Sequence, residues 1–218
     1  MGFSKNVKYY SGTVFEWNLP VGHSCPYALE CLVKVDRVTG KQDNRSSAFK
    51  CYASSAERFP GVRESRWKNF DVGRRLELPE LPKTATAVRV HASGDFFSQD
   101  YFDTWLDYAR ARPDVAFWAF TKSINFWVER LDRVPGNFVL TASLGGKLDD
   151  LALQHNLRTA TVVPTLEDAN GKPVDYNDDL ARVHGESFVL LDNANVSKPS
   201  PSASSRSGRS RRHNSVRA

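Results

Sequence analysis

The run Val88-Arg89-Val90-His91-Ala92-Ser93-Gly94-Asp95-Phe96-Phe97-Ser98, then Gln99 to Arg112, then Val115-Ala116-Phe117-Trp118-Ala119-Phe120-Thr121-Lys122-Ser123, decides the fold. Val88 to His91 reads as a strand. Phe102, Trp105, Leu106 and Ala109 recur at helical spacing. Ser98 is placed to N-cap that helix and Pro113 to end it. Val115 to Phe120 is an apolar run short enough for a buried strand.

Downstream the alternation continues. Phe126, Trp127 and Leu131 mark a short helix before Pro135-Gly136, and Phe138 to Ala142 a further strand. Lys147 to His155 reads as helix, Arg158 to Val163 as strand, and Phe188 to Leu191 as a last strand. Strands and helices joined by short connections imply a parallel sheet with right-handed crossovers. About four or five strands are too few for a closed eight-stranded barrel. The expected fold class is α/β, a partial (β/α) barrel or an open parallel sheet with an irregular Cys-containing N-terminal layer.

That layer is residues 1–84. Pro20, Pro26, Pro60, Pro79 and Pro82 punctuate it, and short helices are expected near 25–32 and 51–70. Residues 85–196 form the parallel α/β core, in one domain with the layer. The tail, 197–218, is Ser/Pro/Arg-rich and is expected to be disordered. It holds six basic and no acidic residues, which leaves 24 basic against 25 acidic in the remainder. The tail therefore accounts for the basic pI; it reads first as a solubilising tail, with weak, salt-sensitive contact to nucleic acid or a host protein as the rival. No apolar run reaches the ~20 residues of a membrane span. The N-terminus has no signal-peptide core and lacks the Ser or Thr of a myristoylation site. The expectation is a cytoplasmic protein without membrane contact.

Chemistry is expected where parallel strands end. The candidate turns are Ser93-Gly94-Asp95, Thr121-Lys122-Ser123, Ser143-Leu144-Gly145-Gly146 and Pro164-Thr165. In one mouth they suit a small zwitterion, with Asp95 for an amino group and Lys122 or Ser143 for a carboxylate or ribose hydroxyl. Gly145-Gly146 is a candidate phosphate-binding turn, though no dinucleotide fingerprint or P-loop accompanies it. Each of these residue types is also common in ordinary turns and caps.

The three cysteines, Cys25, Cys31 and Cys51, all precede the core. An odd count in a cytosolic chain argues for metal or thiol chemistry over disulfides. Thiolates are soft ligands that suit iron–sulfur or zinc. A zinc site wants a fourth ligand, and His23 is at hand. Packed, unliganded thiols are the plain alternative. Arg63, Arg66, Lys68, Arg74 and Arg75 form a basic stretch, read as a solvated helix face with a phosphate-facing surface as the rival. Asp175 to Asp179 lacks the glycine and distal glutamate of an EF-hand and reads as loop and cap. His91 reads as a core histidine, and Trp105 and Trp118 as core.

Trp17-Asn18-Leu19-Pro20, Cys25-Pro26, Cys51-Tyr52-Ala53, Ser93-Gly94-Asp95-Phe96-Phe97-Ser98 and Phe120-Thr121-Lys122-Ser123, taken together, resemble the actinobacteriophage gene product 88 family. The likeness runs from about residue 10 to about 192. That family is distantly similar to radical S-adenosylmethionine (SAM) enzymes, which have a partial (β/α) barrel and a three-cysteine [4Fe–4S] cluster. The resemblance implies cluster ligands at Cys25, Cys31 and Cys51 and a SAM amino-group turn at Ser93-Gly94-Asp95. It also implies Ser143 near the SAM ribose or carboxylate and Tyr52 near the adenine. The long gap between Cys31 and Cys51 departs from the compact cysteine run of that superfamily. Two functions are carried forward: an iron–sulfur enzyme cleaving SAM to act on an unknown substrate, and a non-enzymatic zinc- or cluster-stabilised protein that binds a host factor or nucleic acid.

Overall fold

A computed structural model describes residues 2–5, 13–44 and 51–192. In chain order the elements are β1 (Ser4–Lys5), β2 (Val14–Trp17), β3 (Lys34–Val35), β4 (Gln42–Asp43), α1 (Pro60–Gly73), β5 (Ala87–Val90) and α2 (Gln99–Arg110), continued by β6 (Ala116–Thr121), α3 (Ile124–Val128), β7 (Phe138–Ser143), α4 (Asp149–Gln154), β8 (Thr159–Val163) and β9 (Phe188–Leu191). A seven-stranded sheet has the order β1-β2-β5-β6-β7-β8-β9, and β3 and β4 form a separate hairpin. Every pairing from β2 to β9 is parallel, and β1 is an antiparallel edge. The sheet is open.

Strand order follows chain order, so each crossover steps to the next neighbour in the same direction. Crossovers of one hand then place the helices on one face. The core shows this: Phe15, Trp17, Val88, Val90, Phe117, Ala119, Phe138 and Leu140 pack with Val72 of α1, Trp105 of α2, Trp127 of α3 and Ala152 of α4. Alternate residues of β2, β6 and β7 (Val14, Trp118 and Val139) meet Ala160 of β8 and Phe188 of β9 in a second cluster, which Ala181 covers from the C-terminal segment.

The stretch that decides the fold behaves as its pattern predicts. Ser98 Oγ accepts the Tyr101 N–H at 3.2 Å and caps α2. Trp105 and Trp118 are fully buried, as expected. The N-terminal layer differs from expectation. Val14–Trp17 is a strand of the main sheet, paired in register with Ala87–Val90. Residues 25–32 form turns and no helix, because their peptide groups bond outward: Ala28 bridges Gly146, and Glu30 N–H donates to the Gly145 carbonyl. The helix expected over 51–70 divides at Phe59 into a short 3-10 turn, Ser54–Arg58, and α1. The tail 197–218 lies outside the described residues.

Candidate functional site

Parallel strands deliver their following turns to one edge of the sheet. At the end of β5, Asp95 is buried, and both carboxylate oxygens are engaged. One accepts the Phe96 N–H at 2.7 Å and the Thr121 hydroxyl at 2.6 Å, and the other accepts the Lys122 N–H at 2.8 Å. Burial still outweighs these bonds and pushes its pKa up to about 6. At the end of β6, Lys122 is buried and reaches across to β7. Its Nζ donates to the Ser143 carbonyl at 2.8 Å, the Ser143 hydroxyl at 3.2 Å and the Leu144 carbonyl. The structure thus brings Asp95, Lys122 and Ser143 together, with their polar atoms engaged inside the protein.

Ser93 and Gly94 hold the cysteine loop. Ser93 Oγ donates to the Leu19 carbonyl, and Leu19 N–H donates back to the Ser93 carbonyl, both at 2.8 Å. Gly94 has φ +88°, and a Cβ there would lie 2.6 Å from both Leu19 Cβ and Ser24 Oγ. Only glycine permits that approach. The loop from Leu19 to Cys31 is further fixed at Val21, whose N–H donates to the fully buried Glu57 at 2.8 Å, and at Tyr27, whose hydroxyl accepts from Asn125 at 3.0 Å. Glu57 is itself ion-paired to Arg66 at 2.8 Å.

On this scaffold the three cysteines, all free and partly exposed, lie within electrostatic reach of one another. Burial first, then the Asp95 carboxylate and the other two thiols, push the Cys25 thiol far up. Burial also raises Cys31, partly relieved by the Lys122 ammonium, and Cys51, partly relieved by the Ala53 and Ser54 N–H groups. Cys25 and Cys31 are therefore within electrostatic reach of Asp95, and Cys31 also of Lys122, while Cys51 faces the charges of Arg66 and Glu57. Among the described residues, no group of three or more His, Cys, Asp or Glu side chains is gathered closely enough to hold one metal ion. His23 faces elsewhere: its Nε2 is 3.0 Å from the Val35 carbonyl, and its ring packs 4.9 Å from Trp67. Tyr52, beside Cys51, sends its hydroxyl to the Ala92 carbonyl at the end of β5.

Several readings change. Gly145-Gly146 is no phosphate turn, because both N–H groups donate to the Asp149 carboxylate, at 2.8 and 3.0 Å. Arg63 and Arg66 are buried and do not line a solvated face or a phosphate-facing one. Arg63 donates to the Arg37, Glu57 and Val38 carbonyls and ties the β3–β4 hairpin to α1. Asp175 lies in a loop, as read, but caps no helix: its carboxylate accepts the Asn177, Asp179 and Ala181 N–H groups of a turn. His91 is buried with its Nε2 3.0 Å from the Tyr101 hydroxyl, in the left-handed region at φ 60°.

Arg89 escaped the sequence reading. It lies on the sheet face opposite the helices and pairs with Asp178 at 3.1 Å, while its Nη2 is 3.4 Å from the Tyr52 hydroxyl. The available signal was one charged residue inside the apolar strand Val88-Arg89-Val90.

Residues 3–213 match the family described as Gene product 88, and the chain belongs to that family. The Gene 88 protein of Mycobacterium phage L5 is 38% identical over 56 residues, a segment covering 24% of this chain and 23% of the relative. The matched segment thus spans under a quarter of that relative's length. No solved structure matches the chain. No helix among the described residues is long and apolar enough to cross a membrane.

Proposed function

We propose that this member of the Gene product 88 family carries an iron–sulfur cluster on Cys25, Cys31 and Cys51, above the sheet edge formed by Asp95, Lys122 and Ser143, and that the edge seats a small zwitterion such as SAM. The observation that carries this reading is that three free thiols from two loops lie within electrostatic reach of one another, with Cys25 and Cys31 also beside the charges of Asp95 and, for Cys31, Lys122. The donor set fits. Three soft thiols with no fourth protein ligand suit a cluster with one open iron better than a structural zinc site, which is closed by four protein ligands.

A bound cluster of this kind supplies one-electron reduction of a sulfonium ligand at its open iron. The chain's own residues prepare the place. Burial keeps the thiols protonated until a metal displaces their protons. Lys122 offsets negative charge beside Cys31. The Asp95 bonds to Thr121 and Lys122 lock the β5 and β6 turns together. Tyr52 ties the chain after Cys51 to the end of β5 through its bond to the Ala92 carbonyl.

Protein purified without oxygen tests the proposal. Iron and sulfide with a broad visible absorption bleached by dithionite are expected, and each single Cys→Ala variant loses the colour. One zinc per chain without colour overturns the cluster in favour of a structural metal site. Absence of any metal after reconstitution with iron and sulfide leaves packed thiols and overturns both. Cleavage of SAM by the reduced, coloured protein is then the assay of activity.

A further inference from the structure

The thiols stand on two segments separated by the β3–β4 hairpin: residues 19–31, with Cys25 and Cys31, and the chain from Cys51 into the 3-10 turn Ser54–Arg58. Apolar contact around the second segment is slight, a small cluster of Val21, Val35 and Ala53 with Cys51 packed against it. The directional link between the segments is an ion pair. Glu57 is fully buried, and its Oε1 accepts the Val21 N–H and the Arg66 Nη1, both at 2.8 Å. The same Nη1 donates to the Ala53 carbonyl at 2.9 Å. One oxygen and one nitrogen thus join the Cys25 segment, the Cys51 segment and α1.

The gripped positions adjoin the thiols. Val21 precedes Gly22, whose N–H faces the Cys25 sulfur, and Ala53 turns its own N–H to the Cys51 sulfur. Stability is a poor reason for the pair. With side chains 10% and 0% exposed, it gains little over apolar packing of similar volume. Glu57 Oε2 is also buried with no hydrogen-bond partner among the described residues, which costs further. What charge-assisted bonds do supply is direction and distance, which apolar contact does not fix. Cys31 is placed separately: the Glu30 N–H donates to the Gly145 carbonyl at 3.1 Å, and Ala28 bridges Gly146.

We propose that Glu57 and Arg66 are positioning residues that hold the Cys51 thiol in register with the Cys25 thiol, so that one group can bridge the two. They are not ligands. The inference goes beyond the cluster reading, since it concerns the metal-free chain and holds for any bridging group.

Dibromobimane, which becomes fluorescent when its two arms join two thiols, tests the pair in metal-free protein of full length. Cys31→Ala leaves Cys25 and Cys51 to be bridged, and Cys51→Ala leaves Cys25 and Cys31. Monobromobimane, with a single arm, corrects for the reactivity of each thiol. Arg66→Met alone strands a buried carboxylate and endangers the fold. The informative change is therefore E57Q/R66M, which removes both charges and keeps an acceptor for the Val21 N–H. Its Tm is expected within a few degrees of the native chain. Bridging of Cys25 to Cys51 should slow about tenfold, the weight of one charge-assisted hydrogen bond. Bridging of Cys25 to Cys31 should slow by less than about twofold, because Cys31 is held from elsewhere. Equal slowing of both bridges marks a general loosening and overturns the proposal. Unchanged rates in E57Q/R66M, a double variant that does not fold, or no Cys25–Cys51 bridging with the pair intact overturn it as well. Amide exchange needs no variant: Val21 lies in a turn outside strand and helix, yet its N–H should be protected as well as those of α1. Rapid exchange there overturns the bond on which the pair depends. No readout involves iron, so a colourless protein leaves this proposal standing, and bridging rates that ignore the pair leave the cluster proposal standing.

Discussion

His91 and Gly94 show how much rests on single positions at the strand ends. Burial among Phe96, Tyr101 and Trp105 lowers the His91 pKa from 6.5 to about 3. The unfolded chain therefore binds a proton that the folded chain refuses, and stability falls as pH drops from about 6.5 towards 3. The full cost is on the order of 5 kcal/mol. His91→Asn, which suits the left-handed backbone, should flatten that acid limb in urea titrations between pH 7 and pH 4. An unchanged limb would assign the acid sensitivity to other groups. At Gly94 the added methyl of alanine meets Leu19 and Ser24 at 2.6 Å with φ +88°. Gly94→Ala should cost roughly 2–3 kcal/mol, strain and overpacking together, read as a lower Tm. A neutral effect would mean that the cysteine loop yields without cost. In the sequence, Ser93-Gly94-Asp95 reads as a ligand turn. Its internal bonds appear only once Leu19 is known to lie across it, and no local pattern encodes that contact.

Element α1 carries the clearest misreading of pattern. Its arginines look like a solvated face because charged side chains seldom bury. Here Arg63 and Arg66 point inward and their donors are taken by backbone carbonyls and Glu57. Arg63→Met should therefore cost about 3 kcal/mol through carbonyls left without a donor. Faster amide exchange in β3–β4, with α1 helicity kept, would locate the damage, and exchange unchanged there would show that the hairpin is held by other contacts. The same hairpin explains why the site was only half legible. It occupies the gap between Cys31 and Cys51 and turns the chain back, so thiols distant in sequence come within electrostatic reach. The α2 helix was legible in full, since its apolar spacing and Ser98 cap are local properties.

For the whole molecule, the decisive strand is β2. It is four residues long, carries one charged residue, and stands far upstream of its partner, so its place in the sheet is set by pairing and not by pattern. Through it the N-terminal layer and the α/β core share one sheet and one core, in which Trp17 and Val72 touch the same cluster as Trp105 and Phe138. Two consequences follow from that shared core. Trp17, buried to 0% exposure, should report the same cooperative transition as Trp118 on the opposite face. Residues 85–192 expressed alone should fail to fold, because removal of β2 and α1 uncovers β5 and one end of the helix-packed core. Dispersed amide spectra and a sharp melt from that fragment would show instead that the core is autonomous. In that case the cysteine layer would be an attached module, and the thiols could be lost without loss of fold. If the fragment collapses, the thiol loops and the strand ends beneath them form as one unit. The thiols and the strand ends would then be gained and lost in a single transition.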